Sequence, residues 1–235
     1  MTAPEKLPAE RAEGPAPVPG SETLTDRAYA RLEELIVTLQ LRPGEVLSEA
    51  GLTKLLGIGR TPIREALQRL SMEGLVVILP RRGVLVSEIN VRSQLELLRV
   101  RREVERLMAR LSAVRCTRDE RESFRELAEA MEGCAVENND IEFMRLDKEF
   151  NLLVARTCRN EYARKTMGLL QGLARRFWYQ HYKETLDLPR CARLHAAMAK
   201  SISEGDPDPA GEALDELIDY MESFTRNTLE AGAST

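Results

Sequence analysis

Aromatic residues are scarce in this chain, at 5% of 235 residues with a single Trp, whereas charged residues reach 31%. That balance is typical of helical, soluble proteins. Cysteine is sparse too: Cys116, Cys134, Cys158 and Cys191 stand far apart, with no C-x-x-C pair. Without an export signal, such scattered thiols are expected to be reduced, as in a cytoplasm. No apolar run is long enough to span a membrane and no secretory leader is present, so no membrane partner is expected. The chain also lacks G-x-S-x-G, H-E-x-x-H, a P-loop and a dinucleotide fingerprint, which argues against an enzyme. A strong charge of one sign is missing as well. The net charge is −4, but residues 21–86 carry nine Lys/Arg against eight Asp/Glu, and residues 60–82 five Arg against two Glu. Local charge decides phosphate binding, so the acidic average leaves nucleic acid open as a partner.

The length suits two modest domains. Residues 1–20 hold Pro4, Pro8, Pro15, Pro17 and Pro19 among small and charged neighbours and are expected to be a disordered tail. Residues 21–87 read as a DNA-binding unit and 88–235 as a helical unit. Thr25 is expected to cap a first helix with apolar positions Ala28, Leu32, Leu35, Ile36 and Leu39. Arg42-Pro43-Gly44 ends it. Ser48 caps a short helix with Leu52, Leu55 and Leu56 inward, Gly57–Gly59 turns, and Thr61-Pro62 opens a second helix. Leu75–Leu79 and Val84–Ser87 have strand character, with Pro80-Arg81-Arg82-Gly83 as the tip between them. Arg60 and Arg64 are four residues apart on one helix face, and repel unless an anion lies between them. DNA phosphates and guanine edges are natural partners for such a pair.

These residues resemble the winged helix-turn-helix of the GntR family of bacterial transcription regulators. The resemblance is carried by Pro43-Gly44, Leu47-Ser48-Glu49, Leu52, Gly57, Arg60-Thr61-Pro62, Arg64-Glu65-Ala66-Leu67, Glu73-Gly74-Leu75 and Gly83. It implies groove and phosphate contacts from Arg60, Thr61 and Arg64, and wing contacts from Arg81, Arg82 and Gly83. Gly59 stands where the family usually has Ser or Thr. Glycine at 83 permits positive φ or close backbone approach, and the sequence suggests that replacing it harms DNA binding more than stability.

Beyond Asn90 the periodicity predicts helices near 92–115, 118–137, 140–158, 160–183, 189–204 and 208–230, with a capping box at Thr117. Short connections suit an antiparallel bundle. The expected fold is therefore mainly α: a winged helix-turn-helix with a small β wing, followed by an all-α bundle. Several polar residues fall on inward faces: Arg101 between Leu97, Val104 and Met108; Asp147 and Asn151 beside Phe143, Phe150 and Val154; His195 among Ala192, Met198, Ala199 and Ile202; Tyr220 among Ala213, Leu217 and Phe224. Unpaired burial of such groups is costly. They must satisfy one another, for example as an Arg101–Asp147 ion pair, or line a cavity. Phe177, Trp178, Tyr179 and Tyr182 read as core, interface or a stacking patch, and Arg175 and Arg176 as solvated or anion-binding.

The helical half resembles the FCD effector domain of the FadR branch of that family, through Arg101, Glu105, Asp147, Phe150, Asn160, His195, Gly205-Asp206 and Ala213. Many FCD domains hold a divalent metal through one Asp and three His beside an arginine that receives a carboxylate effector. By that resemblance Asp147 and His195 match two ligands. Asn151 takes one His position and Tyr220 another, allowing a short insertion near Pro207–Pro209. An amide and a phenol are poor ligands for zinc or nickel, so the metal site looks degenerate and no cofactor is certain. The expected effector residues are Arg101, Asp147, Asn151, His195 and Tyr220. The resemblance implies a homodimeric regulator, more commonly a repressor, binding an operator under control of a small carboxylate. A metal sensor using Asp147 and His195 and an enzyme using the same pair are the other readings.

Overall fold

A computed structural model describes residues 23–185 and 187–232. The proline-rich tail at 1–20 lies outside the described residues. Among these the chain forms nine helices and three short strands, arranged around two separate buried cores.

The first core is built by three helices and a small sheet. Helix α1 (Leu24–Val37) is opened by a capping box: the Thr23 hydroxyl accepts from the Asp26 backbone N–H while the Asp26 carboxylate accepts from Thr23 N–H. This satisfies two otherwise orphaned donors. The cap is thus Thr23 and not Thr25, whose hydroxyl instead donates to Glu65 at 2.6 Å across the head. Ala28, Leu32, Leu35 and Ile36 form the buried stripe of α1. Strand β1 (Val46–Leu47) follows, a pairing too short to read from sequence. Helix α2 (Glu49–Leu56) is capped by Ser48 and stopped by Gly57 in the left-handed region, at φ 66. Leu52 faces inward as expected, but Leu55 is mostly exposed. Helix α3 (Arg60–Met72) starts one residue earlier than the Thr61-Pro62 signal suggests and buries Ile63, Ala66, Leu67 and Leu70.

Strands β2 (Val76–Leu79) and β3 (Gly83–Val86) form the wing. The sheet order is β1-β3-β2, both pairings antiparallel, with Leu47 opposite Val84 and Leu79 opposite Gly83. β3 is therefore the central strand. Gly83 has φ 107, and a Cβ there would lie 2.4 Å from the Leu47 carbonyl oxygen. The close approach is to the neighbouring strand, so the glycine is required by the fold itself. The expectation that its replacement leaves stability nearly unchanged is corrected on this ground.

The second core lies within six helices: α4 (Val91–Arg115), α5 (Arg118–Glu137), α6 (Asp140–Thr157), α7 (Glu161–Thr185), α8 (Leu188–Glu204) and α9 (Pro207–Gly232). Their ends follow local chemistry. Asn90, Thr117, Asn139 and Asp187 cap α4, α5, α6 and α8 through side-chain oxygens. Asn138 and Gly205 adopt left-handed conformations where α5 and α8 stop. α5 packs on α8 and α4 on α9. Phe124, Met131, Phe150 and Ile202 are almost fully buried between them. At the α4–α9 contact Arg102 reaches Asp215, Asp219 and Glu222, and Arg106 chelates Asp215.

Helix α7 joins the two cores. The side chain of Leu173 packs against the first core, and Arg175 meets Glu33 of α1 at 2.9 Å. Arg176, only 2% exposed, donates to the carbonyls of Ser87 and Glu88 at 2.8 and 3.1 Å. Burial pulls its pKa down to about 10, against a smaller opposing pull from Glu88. Arg176 is thus neither solvated nor free to hold a ligand, whereas Arg175 stays partly exposed and is paired with Glu33. Phe177 meets Phe224 of α9 edge-on and Trp178 meets it at a tilt, which makes these two part of the core, while Tyr179 and Tyr182 pair with each other.

Candidate DNA interface and buried effector cluster

The DNA-side candidates converge on one end of the first unit. Arg60, Thr61 and Arg64 are exposed on the first turns of α3, and Arg81 and Arg82 are exposed at the wing tip. Gly59 caps α3 without a side-chain hydrogen bond, which leaves the first backbone N–H groups directed outward. Arg81 occupies the left-handed region at φ 63, the bend that turns the strand into the tip.

Arg64 is held by Glu49. Its Nε donates to Oε1 at 3.1 Å and a terminal nitrogen to Oε2 at 2.8 Å, a two-point contact from α2 to α3. The Glu49 carboxyl is lowered by its hydrogen bond to Arg64, helped by the charges of Arg64 and Arg60. Glu49 is thus the anion that lets two arginines share a face. Sequence reasoning did not assign it this role, although Ser48-Glu49 directly before a short helix was the available signal. Behind the face, Arg69 lies over the Tyr29 ring at 3.6 Å, and the Tyr29 hydroxyl donates to the buried Glu73 carboxylate at 2.9 Å. Burial first, then Glu73, pushes the Tyr29 hydroxyl well above its ordinary pKa.

In the bundle the structure brings together Arg101 of α4, Asp147 and Asn151 of α6, and His195 of α8. The His195 Nε2 lies 3.2 Å from Asp147 Oδ1. The Asn151 amide donates to the same carboxylate oxygen at 2.9 Å and to the Asp147 carbonyl at 2.8 Å. Arg101 donates to Glu105 at 2.5 Å, and its charge also acts on Asp147. Phe143 and Phe150 meet the imidazole edge-on, with centroids 5.2 and 6.3 Å away. Glu105 is the partner that the Arg101–Asp147 pairing left out; its i, i+4 spacing from Arg101 was the signal.

Burial raises the Asp147 carboxyl, but the hydrogen bond and charge of His195 more than offset this, and its pKa is lowered. Burial likewise opposes charge on His195; Cys191 and the Asp147 carboxylate outweigh it, and the imidazole is held well above its usual value. Within the cluster Arg101 is paired with Glu105 and His195 with Asp147. Tyr220 does not join it. Its hydroxyl donates to the Asp187 carbonyl at 3.1 Å, and the Arg190 guanidinium lies 5.2 Å over its ring.

The residues do not fit a divalent metal. The second ring nitrogen of His195, Nδ1, sits 2.9 Å from the Cys191 carbonyl and donates to it, which leaves Nε2 and Asp147 as the only ligand pair here. Asn151 presents its amide nitrogen to Asp147. Among the described residues no group of three His, Cys, Asp or Glu side chains converges, whereas zinc sites of this kind use at least three protein ligands.

Two profiles match this chain. Residues 24–86 match "Bacterial regulatory proteins, gntR family" and residues 96–220 match "FCD domain". The chain belongs to the GntR family of bacterial transcription regulators, in the branch that carries an FCD domain, and it is a DNA-binding regulator by class. Among its relatives, the Nta operon transcriptional regulator of Aminobacter aminovorans is 31% identical over 57% of this chain and 63% of that one. The HTH-type transcriptional repressor RspR of Escherichia coli is 23% identical over 88% of this chain and 90% of that one. A Streptomyces ambofaciens HTH-type regulator is 44% identical, but the match spans only 26% of its length. Among solved structures, E. coli McbR/YncC superposes with a TM-score of 0.74 at 19% identity, over 88% of this chain and 99% of that one.

Proposed function

We propose that this protein is a homodimeric cytoplasmic repressor whose hold on a DNA operator is controlled by a small carboxylate bound in the helical unit. In this reading residues 21–87 form the DNA-binding domain and 88–235 the effector and dimerisation domain. Arg60, Thr61 and Arg64 enter the major groove, and Arg81, Arg82 and the Gly83 backbone contact sugar and phosphate. One short helix reads too few bases for specificity, so two half-sites are needed.

The observation that carries the reading is the juxtaposition of an exposed arginine face on α3 with a buried, ion-paired cluster on three helices of the second unit. Arg101, Asp147, Asn151 and His195 are the proposed effector residues, with Tyr220 as a more distant wall. A carboxylate entering the cluster would displace Glu105 from Arg101 and gain a charge-assisted, two-point contact. The balance of charges would then shift, and with it the packing of α4, the helix that starts just after the wing. An enzyme using His195 and Asp147 as acid and base is disfavoured, because both ring nitrogens already have partners. No helix among the described residues is long and apolar enough to cross a membrane.

A gel shift with DNA from upstream of the protein's own gene tests this, with and without a panel of carboxylates. A specific shift that one carboxylate relieves, and that Arg101→Ala makes unresponsive while folding is retained, is expected. Turnover of metabolites with no specific DNA binding would overturn it.

A further inference from the structure

Helix α4 carries an apolar stripe that no other described element covers. Val100, Leu107 and Val114 are 49%, 45% and 62% exposed, and they recur every seventh residue of one 25-residue helix. Glu103 lies between the first two and Arg110 between the last two, both exposed. The opposite side of α4 is committed to α9 and α7. Three exposed apolar residues at heptad spacing describe a helix seam, since that repeat keeps one face toward a partner helix.

The signs of the intervening charges choose the partner and its direction. A second copy of α4 laid parallel would set Glu103 against Glu103 and Arg110 against Arg110. Laid antiparallel about Leu107, it sets Val100 against Val114 and Glu103 beside Arg110, twice by symmetry. Each seam is then self-complementary, as a two-fold contact must be. We infer that two copies of this chain pair antiparallel through α4, with Leu107 at the two-fold axis and Glu103–Arg110 pairs on either side. The inference rests on the dimeric regulator proposed above and names its surface. Within one chain Arg110 meets Asp208 at 2.7 Å and Glu103 meets Arg106 at 3.4 Å, both on exposed side chains. Such pairs are weakly held and yield readily to a partner.

The seam also fixes the DNA-binding units in space. Because α4 begins just after the wing, antiparallel pairing puts the two units at opposite ends of the seam, where two half-sites can be engaged.

Sedimentation velocity on the full chain at micromolar concentration tests this, with circular dichroism confirming that each variant is folded. The parent is expected to be a dimer and Leu107→Glu a monomer. At low salt Glu103→Arg and Arg110→Glu should each weaken the dimer about tenfold or more, and the double exchange should restore it. Leu107→Cys should link to its mate with a short bismaleimide, whereas the parent should not: its Cys134, Cys158 and Cys191 are buried, and Cys116, only partly covered, lies just past the end of α4, so antiparallel pairing about Leu107 keeps it far from its mate. A monomeric parent overturns the dimer reading and the seam together. A dimeric parent whose Leu107→Glu variant stays dimeric, or whose Leu107→Cys variant does not cross-link, overturns the seam alone.

Discussion

Glu49 holds Arg64 at two points, 3.1 and 2.8 Å, from the helix that precedes it. The guanidinium that the sequence offers for base reading is therefore already oriented before DNA arrives. If Arg64 reads a guanine, Arg64→Ala should reduce specific binding roughly ten- to a hundredfold. Glu49→Gln should reduce the ratio of specific to non-specific affinity while raising non-specific affinity, because it frees Arg64 and removes a negative charge facing phosphate. Titrations of operator and scrambled DNA measure both. An unchanged ratio in both variants would remove Arg64 from the reading residues.

Arg81 should act differently. At the exposed wing tip it is placed to meet phosphate, so Arg81→Ala should weaken operator and scrambled DNA alike. The slope of log affinity against log salt should become shallower by about 0.9 for each phosphate that is no longer neutralised. A weakening confined to the operator would make Arg81 a base reader instead.

Gly83→Ala should destabilise the protein. The added Cβ meets the Leu47 carbonyl oxygen at 2.4 Å on a backbone at φ 107, a combination that costs on the order of 1–3 kcal/mol or more. Urea denaturation followed by circular dichroism reads the loss. A variant as stable as the parent but weaker on DNA would return the glycine to a purely DNA-facing role.

His195 makes stability depend on pH in a stated direction. Its folded pKa is raised above the unfolded value of about 6.5. Its stabilising contribution is then fully present below that value and fades as pH rises through the raised one. Asp147 is lowered, so its contribution is present above its unfolded value near 4 and fades only in acid. Between pH 6 and 9 the parent should lose melting temperature relative to His195→Gln. A constant difference across that range would show that the ring does not titrate there.

Arg176→Met should loosen the junction of the two units. It leaves two inward carbonyls, of Ser87 and Glu88, without their donor, at a cost of about 1–3 kcal/mol. Hydrogen exchange at residues 87–90 should quicken while the interior of α5 and α8 stays protected. Unchanged exchange at the junction would mean that α7 does not secure it.

Much of this was legible in the sequence because local rules agreed with the final packing. Ser48, Thr117 and Gly57 mark helix ends by their own hydrogen bonds or backbone freedom, and the Leu52, Leu67 and Leu70 positions follow helical spacing. Arg101, Asp147, Asn151 and His195 come together because their apolar neighbours fix which way each helix turns. What escaped depends on distance in the chain. β1 is two residues long and exists only through β3. The Arg176 link to the Ser87 carbonyl spans 89 residues, and even the nearer Glu49 grip on Arg64 and Glu105 grip on Arg101 are choices among several charged neighbours, which periodicity does not rank. Tyr220 lies on the right face of α9 but finds the Asp187 carbonyl at the head of α8, a contact set by how two helices slide past each other.

The strand order has a mechanical consequence. β3 is stitched on both sides, to β1 and to β2, and the chain leaves it at Val86 directly into the two carbonyls gripped by Arg176. A displacement of α7 is therefore delivered to the middle of the sheet and not to a loose edge. A tilt imparted there would carry the wing as one plate, with Arg81 and Arg82 at its rim.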